Sequence, residues 1–250
     1  MANFQFQQHS HAFWQFLQQV LQAHWRSLLL LGLGVGLPLF LFEQLAVAIS
    51  RQQGGFLWDE PILLAVHATT TVFWDRLVPI LTRLGGFKGV TLLTTLLSFW
   101  LLRQQRWRSL IYLLLTMIGS GLINRLAKAV LHRVRPSLWT PLAPEADFAF
   151  PSGHATASMT FVAAIIILTW GTRWCWLAVL GGSSFVLAIA WTRLYLGVHF
   201  PSDIVAGWLV SIAWAIGVSV AIRPHLTAST RREEVQLTTE EAQTLSRDNL

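Results

Sequence analysis

The sequence predicts an all-α polytopic membrane protein, and three observations lead to this prediction. Of its 250 residues, 54% are hydrophobic and only 12% are charged, whereas about 25% of the residues of a typical soluble domain are charged. The apolar residues also lie in long uninterrupted runs, for example 161–170. Only one cysteine is present, so intramolecular disulfides cannot support a small secreted fold. This composition excludes an ordinary soluble enzyme, a disordered chain and a disulfide-stabilised secreted domain.

Six apolar segments are predicted to span the membrane, for which a helix needs about 20 apolar residues, with a range of about 17 to 25. The second and third segments are short, and the third is expected to continue as a helix through residues 124–134, beyond the membrane core. The spans are predicted at residues 27–49, 86–102, 109–123, 155–170, 174–190 and 204–222.

The segments that flank the spans divide the chain into three regions. Residues 1–26 are rich in glutamine and place aromatic and aliphatic side chains at helical spacing, which predicts an amphipathic helix lying on the membrane surface. Residues 27–222 form the predicted six-span domain, within which 52–83 is a mixed, interfacial stretch. Residues 223–250 are polar, so we expect a solvated tail.

The net charge of +6 does not indicate nucleic-acid binding. Most of the basic residues are arginines at the ends of apolar runs, where cations commonly flank membrane spans. They form no basic stripe of the kind that nucleic-acid-binding domains carry. With six spans both termini lie on one side of the membrane. The cations concentrated on the opposite side, between the third and fourth spans, therefore need another explanation.

Lys128 and Arg135 are the first candidate pair on that opposite side. They are seven positions apart, which is almost two turns of an α-helix, so we expect both side chains on one face of a helix that Pro136 ends. Two cations at the end of a span can instead extend along apolar surface towards the interface. The pair alone leaves an anion site and a pair of interfacial cations both open.

The segment Pro151-Ser152-Gly153-His154 comes immediately before the fourth predicted span. Serine and glycine at the start of a helix leave backbone N–H groups exposed, and the helix dipole adds partial positive charge. Together these features favour the binding of a phosphate group. An ordinary helix cap with a histidine at the membrane interface is the alternative.

Arg193, His199 and Asp203 lie between the fifth and sixth predicted spans. Pro201 suits the first turn of a helix, so Asp203 falls in that turn and can reach back towards His199. A carboxylate that holds the Nδ1–H of a histidine leaves Nε2 free as a nucleophile or base. Taken singly, Asp203 can be an acid favoured by the helix dipole, and Arg193 can be an interfacial cation.

All three segments fall on the same side of the predicted topology. These groups suit phosphoryl transfer, in which positioning and charge stabilisation supply most of the catalysis. They are three cations, a helix N-terminus and two histidines, one of them beside a carboxylate. As a set, the three segments resemble the motifs of the type 2 phosphatidic acid phosphatase (PAP2) superfamily. The motifs are Lys128-x6-Arg135-Pro136, Pro151-Ser152-Gly153-His154 and Arg193-x5-His199-x3-Asp203. The third motif usually opens with serine-arginine in that family, and this chain has Thr192-Arg193, which keeps the hydroxyl.

The resemblance implies a PAP2-like helical bundle and a role for each motif residue. His199 would attack phosphorus and form a phosphohistidine, oriented by Asp203, while His154 would protonate the leaving oxygen and later activate water. The resemblance implies no metal and no other cofactor. The phosphoryl oxygens would be bound by Lys128, Arg135, Arg193, Ser152 and Gly153.

The same resemblance implies a site at the extracytoplasmic face of the bacterial inner membrane, with cytoplasmic termini. The loop cations agree with this orientation once the three site cations, Lys128, Arg135 and Arg193, are set aside. Nine basic residues then remain on the side of the termini against six on the other, and an excess of cations is typical of cytoplasmic loops.

We therefore expect a metal-independent phosphatase that acts on a membrane lipid phosphate or diphosphate. Undecaprenyl diphosphate is the favoured substrate, followed by phosphatidylglycerophosphate and phosphatidic acid. The alternatives are a phosphotransferase that uses a lipid acceptor, a non-catalytic lipid-phosphate binder or transporter, a vanadate-dependent peroxidase, and a zinc site at His154, His199 and Asp203. The lipid substrate and the bilayer are the expected partners, and the sequence leaves any protein partner unidentified.

Three residues near the motifs are expected to have ordinary roles. Asn124, one turn before Lys128, could line the entrance to the site, but packing between helices is the favoured interpretation. Glu145 and Asp147 precede the Pro-Ser-Gly-His segment. These two acids could shape the entrance to the site, but solvated loop acids are the favoured interpretation.

Overall fold

The computed structural model describes residues 25, 28–52 and 56–224, and every regular element in that part of the chain is a helix. Most of the predicted surface segment, 1–26, and of the predicted tail, 223–250, lies outside the described residues. The all-α fold class is confirmed.

Eight helices follow one another along the described part of the chain. The first contains a π-helical turn at Gly32–Gly36. The stretch predicted as mixed and interfacial forms two of them, α2 (Asp59–His67) and most of α3 (Val72–Gly85). Thr71 caps α3, because its side chain accepts a hydrogen bond from Trp74 N. The helices are α1 Leu28–Arg51, α2 Asp59–His67, α3 Val72–Gly85, α4 Phe87–Arg103, α5 Trp107–Leu131, α6 Gly153–Thr169, α7 Trp174–Tyr195 and α8 Pro201–Ile222.

Four of these helices, α1, α5, α7 and α8, are long and apolar enough to cross a membrane. Helices α3 and α4 meet the same criterion as a pair bent by 45°, and α6 is apolar but has only 17 residues. Each of the six predicted spans therefore coincides with an apolar helix, while the structure supports four or five spans. Many large apolar side chains on these helices are exposed, as expected of an integral membrane protein whose outer surface contacts lipid.

Helix α6 lies at the centre of the bundle and packs against α3, α4, α5, α7 and α8. It buries small side chains such as Ala155 and Ser158, which allow neighbouring helices to approach closely. At Gly207 of α8, a β-carbon would lie 2.9 Å from Thr156 Oγ1, so the crossing of α6 and α8 favours glycine. The N-terminal end of α6 is thereby fixed against the first turns of α8.

The prediction that Lys128 and Arg135 share one helix face is wrong. Helix α5 ends at Leu131, because His132 adopts a left-handed conformation with φ of 45°. The residue before a proline is also biased away from the α-helical region, which keeps Arg135 in an irregular segment. Arg135 reaches the site from the α5–α6 connection, whereas Lys128 reaches it from the last turn of α5.

Candidate active site

The three motifs meet at the N-terminal end of α6. The α5–α6 connection and the α7–α8 connection both pass this point, so residues far apart in sequence come into contact. For example, Ser152 N–H donates to the backbone oxygen of Asp203 at 3.1 Å. The structure brings together all eight residues that the motifs predicted, namely Lys128, Arg135, Ser152, Gly153, His154, Arg193, His199 and Asp203.

His199 is fully buried between a carboxylate and a guanidinium. Its Nδ1 lies 3.4 Å from Asp203 Oδ2, and its Nε2 lies 3.1 Å from Arg135 Nη1. A guanidinium can only donate hydrogen bonds, so the contact with Arg135 requires Nε2 to be the acceptor and Nδ1 to carry the proton. This tautomer leaves a lone pair on Nε2, as a nucleophile requires.

The charge state of His199 fits the same role. Burial, together with the nearby guanidinium groups of Arg193 and Arg135, lowers the pKa of His199 well below its ordinary value. The ring is therefore neutral near pH 7. Asp203 is also buried, and its Oδ2 accepts a hydrogen bond from Phe200 N at 2.9 Å, which fixes the carboxylate towards His199.

Two buried or half-buried arginines and one lysine form the cationic part of the site. Arg193 is 1% exposed, donates to Thr82 Oγ1 of α3 at 2.9 Å and forms an ion pair with Glu145. Arg135 Nη2 lies 2.7 Å from Glu145 Oε2 and also pairs with Asp147. Lys128 Nζ lies 2.6 Å from Asp147 Oδ2. All three predicted cations therefore face one region, and each has an acidic partner there.

The favoured interpretation of Glu145 as a solvated loop acid is wrong. Besides its two arginine partners, its carboxylate oxygens lie 3.9 Å from His154 Nδ1 and 3.8 Å from His199 Nε2. Burial alone would raise the pKa of Glu145, but Arg193 and Arg135 outweigh this effect, so its pKa lies below the ordinary value. A carboxylate anion thus occupies the position between the two histidines.

Asp147 is only in part the solvated acid that the sequence favoured. Its side chain is 59% exposed, yet it pairs with both Lys128 and Arg135. Burial would raise the pKa of Asp147, but the hydrogen bond and charge of Lys128, with those of Arg135, lower it below the ordinary value. The two acids of the α5–α6 connection therefore bind all three cations of the site.

The start of α6 supplies fewer free donors than its sequence predicted. The Ser152 N–H is used in the contact with α8, so it is not available to an anion. The Ser152 hydroxyl, in contrast, is buried and has no hydrogen-bond partner among the residues that the structure describes. Gly153 begins the helix, and Asn124 of α5 holds the segment in place by donating to Pro151 O and Thr156 Oγ1, both at 3.1 Å.

His154 lies in the first turn of α6 with its two ring nitrogens in different surroundings. Nδ1 faces Glu145 at 3.9 Å, whereas Nε2 lies against Gly86, at the bend between α3 and α4. A β-carbon at Gly86 would lie 2.8 Å from Nε2. The absence of a side chain at residue 86 therefore makes room for the imidazole.

The zinc alternative lacks a matching geometry. Asp203 contacts Nδ1 of His199, the ring nitrogen away from His154, and is itself paired with Arg133. In the described ranges no three His, Cys, Asp or Glu side chains are grouped as metal ligands.

A comparison of the sequence with known families agrees with the motifs that form this site. The sequence profile of the PAP2 superfamily matches residues 109–240, a range that includes all three motifs. The chain belongs to the PAP2 superfamily.

Named relatives of this PAP2 chain include two phosphatases. It is 34% identical over 117 residues to the undecaprenyl-diphosphatase of Sulfolobus acidocaldarius, an alignment that covers 45% of this chain and 54% of the relative. It is 32% identical over 146 residues to the lipid A 1-phosphatase of Rhizobium etli, covering 54% of this chain and 59% of the relative. The chain thus spans between half and two thirds of the length of these two relatives.

A solved structure has the same fold as this PAP2 protein. The crystal structure of a transmembrane PAP2-type phosphatidylglycerolphosphate phosphatase from Bacillus subtilis superposes with a TM-score of 0.64. The superposition covers 73% of this chain and 92% of that protein, with 23% sequence identity. This likeness concerns the fold.

Several residues of the PAP2 site were missed by reasoning from the sequence. Thr82 binds Arg193 from a helix 111 residues earlier in the chain, and no local pattern marks it. Asn124, for which packing between helices was the favoured interpretation, orients the Pro-Ser-Gly-His segment. Its spacing of four residues from Lys128 on a helix was the one available signal, because residues i and i+4 lie on the same face.

Proposed function

We propose that this PAP2 protein is an integral-membrane, metal-independent lipid phosphatase that acts through a phosphohistidine on His199. The observation that carries the proposal is the anion position between the two histidines. There the Glu145 carboxylate is bound by Arg135 and Arg193 and lies 3.8 Å from His199 Nε2. A phosphoryl group at this position would have a nucleophile on one side and cations around its oxygens.

The reaction proceeds in two steps that use the same residues. In the first, His199 Nε2 bonds to the terminal phosphorus, and the bond from that phosphorus to the leaving oxygen breaks. The leaving oxygen is the bridging oxygen of a diphosphate or the lipid oxygen of a monophosphate, and His154 gives its proton to it. In the second, His154 takes a proton from water, the water oxygen bonds to phosphorus, and the bond from phosphorus to Nε2 breaks. Inorganic phosphate leaves and both histidines return to their starting states.

The remaining motif residues bind the phosphoryl oxygens during both steps. Lys128, Arg135 and Arg193 offset the negative charge, and the Ser152 hydroxyl, which is buried without a partner in the described part of the chain, donates to an oxygen. Gly153, at the start of α6, lets the group approach the helix N-terminus. Asp203 keeps the proton of His199 on Nδ1 throughout.

We infer six membrane spans, formed by residues 27–222, with the site at the extracytoplasmic face of the inner membrane and cytoplasmic termini. Support comes from six apolar helices that match the six predicted segments. The cations that remain outside the site also favour this orientation. A lipid substrate would keep its chain in the bilayer while its head group enters the site.

A diphosphate is the head group that the site favours. Two separate carboxylates are bound at once, Glu145 by Arg135 and Arg193, and Asp147 by Lys128 and Arg135. Three cations that bind two adjacent anionic groups suit a diphosphate better than a monophosphate. The undecaprenyl-diphosphatase name of the Sulfolobus relative supports the same class, so undecaprenyl diphosphate ranks before phosphatidylglycerophosphate and phosphatidic acid.

The test is phosphate release by the full chain, purified in detergent, with EDTA present. Undecaprenyl diphosphate, phosphatidylglycerophosphate and phosphatidic acid are compared, with and without a second lipid as acceptor. We expect release in EDTA that His199→Ala abolishes and His132→Asn retains, because His132 ends α5 and contacts Phe148 rather than the site. Release that persists in His199→Ala, or no turnover of any lipid by folded protein, would contradict the proposal.

A further inference from the structure

A buried array of charges lies behind His199, on the side away from the anion position. Arg133 belongs to the α5–α6 connection and is 3% exposed, and Asp59, the first residue of α2, is fully buried. Arg133 Nη2 donates to Asp59 Oδ2 at 2.8 Å, and Arg133 Nη1 pairs with Asp203 Oδ1. One guanidinium therefore joins a carboxylate of α2 to the carboxylate that contacts His199.

Ser202 closes the array from the first turn of α8. Its N–H donates to Asp59 Oδ1 at 2.9 Å, and its hydroxyl donates to Asp59 Oδ2 at 2.6 Å. The same hydroxyl accepts from Arg133 Nη1 at 2.7 Å. The guanidinium also lies over the Phe200 ring, 4.5 Å from its centroid. These contacts fix the plane of the Arg133 guanidinium from three sides.

The two oxygens of Asp203 are consequently used for different purposes. Oδ1 is bound by Arg133, whereas Oδ2 accepts from Phe200 N and faces His199 Nδ1. Rotation of the carboxylate would break the contact with Arg133. The orientation of Asp203, and through it the tautomer of His199, thus depends on a residue that does not touch the anion position.

We propose that Arg133 is a positioning residue for the phosphohistidine reaction, and that Asp59 holds Arg133 in place. Two carboxylates and one guanidinium carry one net negative charge when ionised. When His199 Nε2 bonds to phosphorus while Nδ1 keeps its proton, the ring becomes cationic, and the array offsets that charge in a buried environment. This inference rests on the proposed function of His199.

A purely structural role for Arg133 makes a different prediction. A buried ion pair that loses one partner is strongly destabilising, so a lower yield of folded protein is expected under either interpretation. Only a positioning residue lowers kcat in the protein that does fold, and only a positioning residue loses its effect once Asp203 cannot respond to it.

The experiment measures kcat and KM of folded full-length protein for Arg133→Gln, Asp59→Asn, Asp203→Asn and the double variant Arg133→Gln/Asp203→Asn. We expect Arg133→Gln to lower kcat about 10- to 100-fold, the loss typical when a metal-ligating histidine loses the partner that orients it. The KM and the inhibition constant of inorganic phosphate should change less than about threefold, because Arg133 does not bind substrate. In the Asp203→Asn background, Arg133→Gln should lower kcat by less than about threefold.

Asp75→Asn is the matched control. Asp75 of α3 accepts a hydrogen bond from Tyr195 of α7 at 2.7 Å, so this variant also removes a carboxylate contact between elements, but away from Asp203. It should retain kcat within about twofold, because sites without shared partners act nearly independently. If Arg133→Gln does not yield folded protein, Arg133→Lys is measured instead. Lysine keeps the charge but cannot bind both carboxylates as a fork, so kcat should again fall while KM changes little.

Two outcomes would overturn the inference. One is a kcat of the Arg133 variant equal to that of Asp75→Asn. The other is a loss in the double variant equal to the product of the single losses. Failure of the proposed function is distinguishable, because His199→Ala would then remain active whatever the Arg133 variants do.

Discussion

The guanidinium of Arg193 and the carboxylate of Glu145 form an ion pair at the point where the two histidines face each other. Arg193 is held from behind by Thr82, so Glu145, on an irregular connection, is the partner free to move. Its carboxylate and a substrate phosphoryl group cannot occupy the same position. Substrate binding by the proposed mechanism therefore requires Glu145 to leave Arg193.

The first prediction concerns the cost of displacing Glu145. Glu145→Gln removes the negative charge that neutralises Arg135 and Arg193, so we expect the KM for lipid and the inhibition constant of inorganic phosphate both to fall, about 3- to 10-fold, which corresponds to about 0.7–1.4 kcal/mol. Steady-state kinetics with phosphate as inhibitor measures both constants. Glu60→Gln, which removes an exposed acid at the start of α2, is the charge-matched control. A rise in both constants would instead show that Glu145 assists binding.

The second prediction concerns the pH dependence of kcat/KM. In the proposed mechanism His199 attacks as the free base, and burial with Arg193 and Arg135 lowers its pKa well below the usual value. A lowered pKa keeps the base form populated as pH falls, so activity should be lost only as pH drops through a value clearly below about 6.5. Stopped assays across pH 4.5 to about 8 would measure this acid limb.

The Glu145→Gln variant separates the ionisation of His199 from that of the substrate. Because the Glu145 carboxylate partly raises the pKa of His199, its removal should move the acid limb to still lower pH. The substrate is the same in both enzymes, so its own ionisation cannot produce a difference between them. Identical acid limbs would mean that His199 does not set the profile. The charged groups that face the ring are Asp203, Arg193, Arg135, Glu145 and Lys128.

The parts of this protein that could be predicted from sequence are those encoded locally. Apolar runs fix the helices, and the spacing of His199 and Asp203 across the start of α8 places one over the other, as the 3.4 Å contact shows. Glu145 and Asp147 were misjudged because their contacts depend on the path of an irregular connection of about 20 residues, which no periodic pattern specifies.

Long-range contacts account for the other omissions. Asp59 binds Ser202 across 143 residues of sequence, and Arg133 lies inside the first motif without any spacing that marks it. The shared helix face of Lys128 and Arg135 failed because one residue, His132, adopts a left-handed conformation. Their convergence was nevertheless correct, since both cations bind Asp147. The negative charge of Asp147 holds the two cations together, although they lie on different backbone segments.

The third prediction tests the diphosphate head group through Lys128. Lys128 binds Asp147 and not Glu145. If the terminal phosphate of a diphosphate takes the Glu145 position, Lys128 should also bind the inner, lipid-linked phosphate. We expect Lys128→Gln to lower kcat/KM for undecaprenyl diphosphate about tenfold more than for phosphatidic acid, since a hydrogen bond to a charged group contributes about 1.5–3 kcal/mol. Arg125→Gln, at an exposed position of the same helix, is the control. Equal losses for both lipids would mean that Lys128 binds only the transferred phosphoryl group.

The fourth prediction concerns the space that Gly86 leaves for His154. A β-carbon at residue 86 would lie 2.8 Å from His154 Nε2, closer than van der Waals contact allows. The backbone there has φ of −77°, which alanine adopts without strain, so Gly86→Ala should fold normally while the imidazole is displaced. Displacement of a general acid removes part of a contribution that is typically about 100- to 10,000-fold. We expect kcat to fall at least about tenfold with little change in KM.

The matched control for Gly86→Ala is Gly121→Ala, because a β-carbon at Gly121 of α5 would have no neighbouring residue within 4 Å. Alanine also favours a helix interior by up to about 1 kcal/mol over glycine, so Gly121→Ala should retain kcat and be at least as stable as the wild type. In the proposed mechanism His154 acts on both the leaving oxygen and the attacking water, so Gly86→Ala should slow phosphohistidine formation and its hydrolysis together. Rapid alkaline quenching of a single turnover, which preserves the acid-labile phosphohistidine, can resolve the two steps. A normal kcat in Gly86→Ala would mean that His154 tolerates displacement, and hence that proton transfer to the leaving oxygen does not depend on its position.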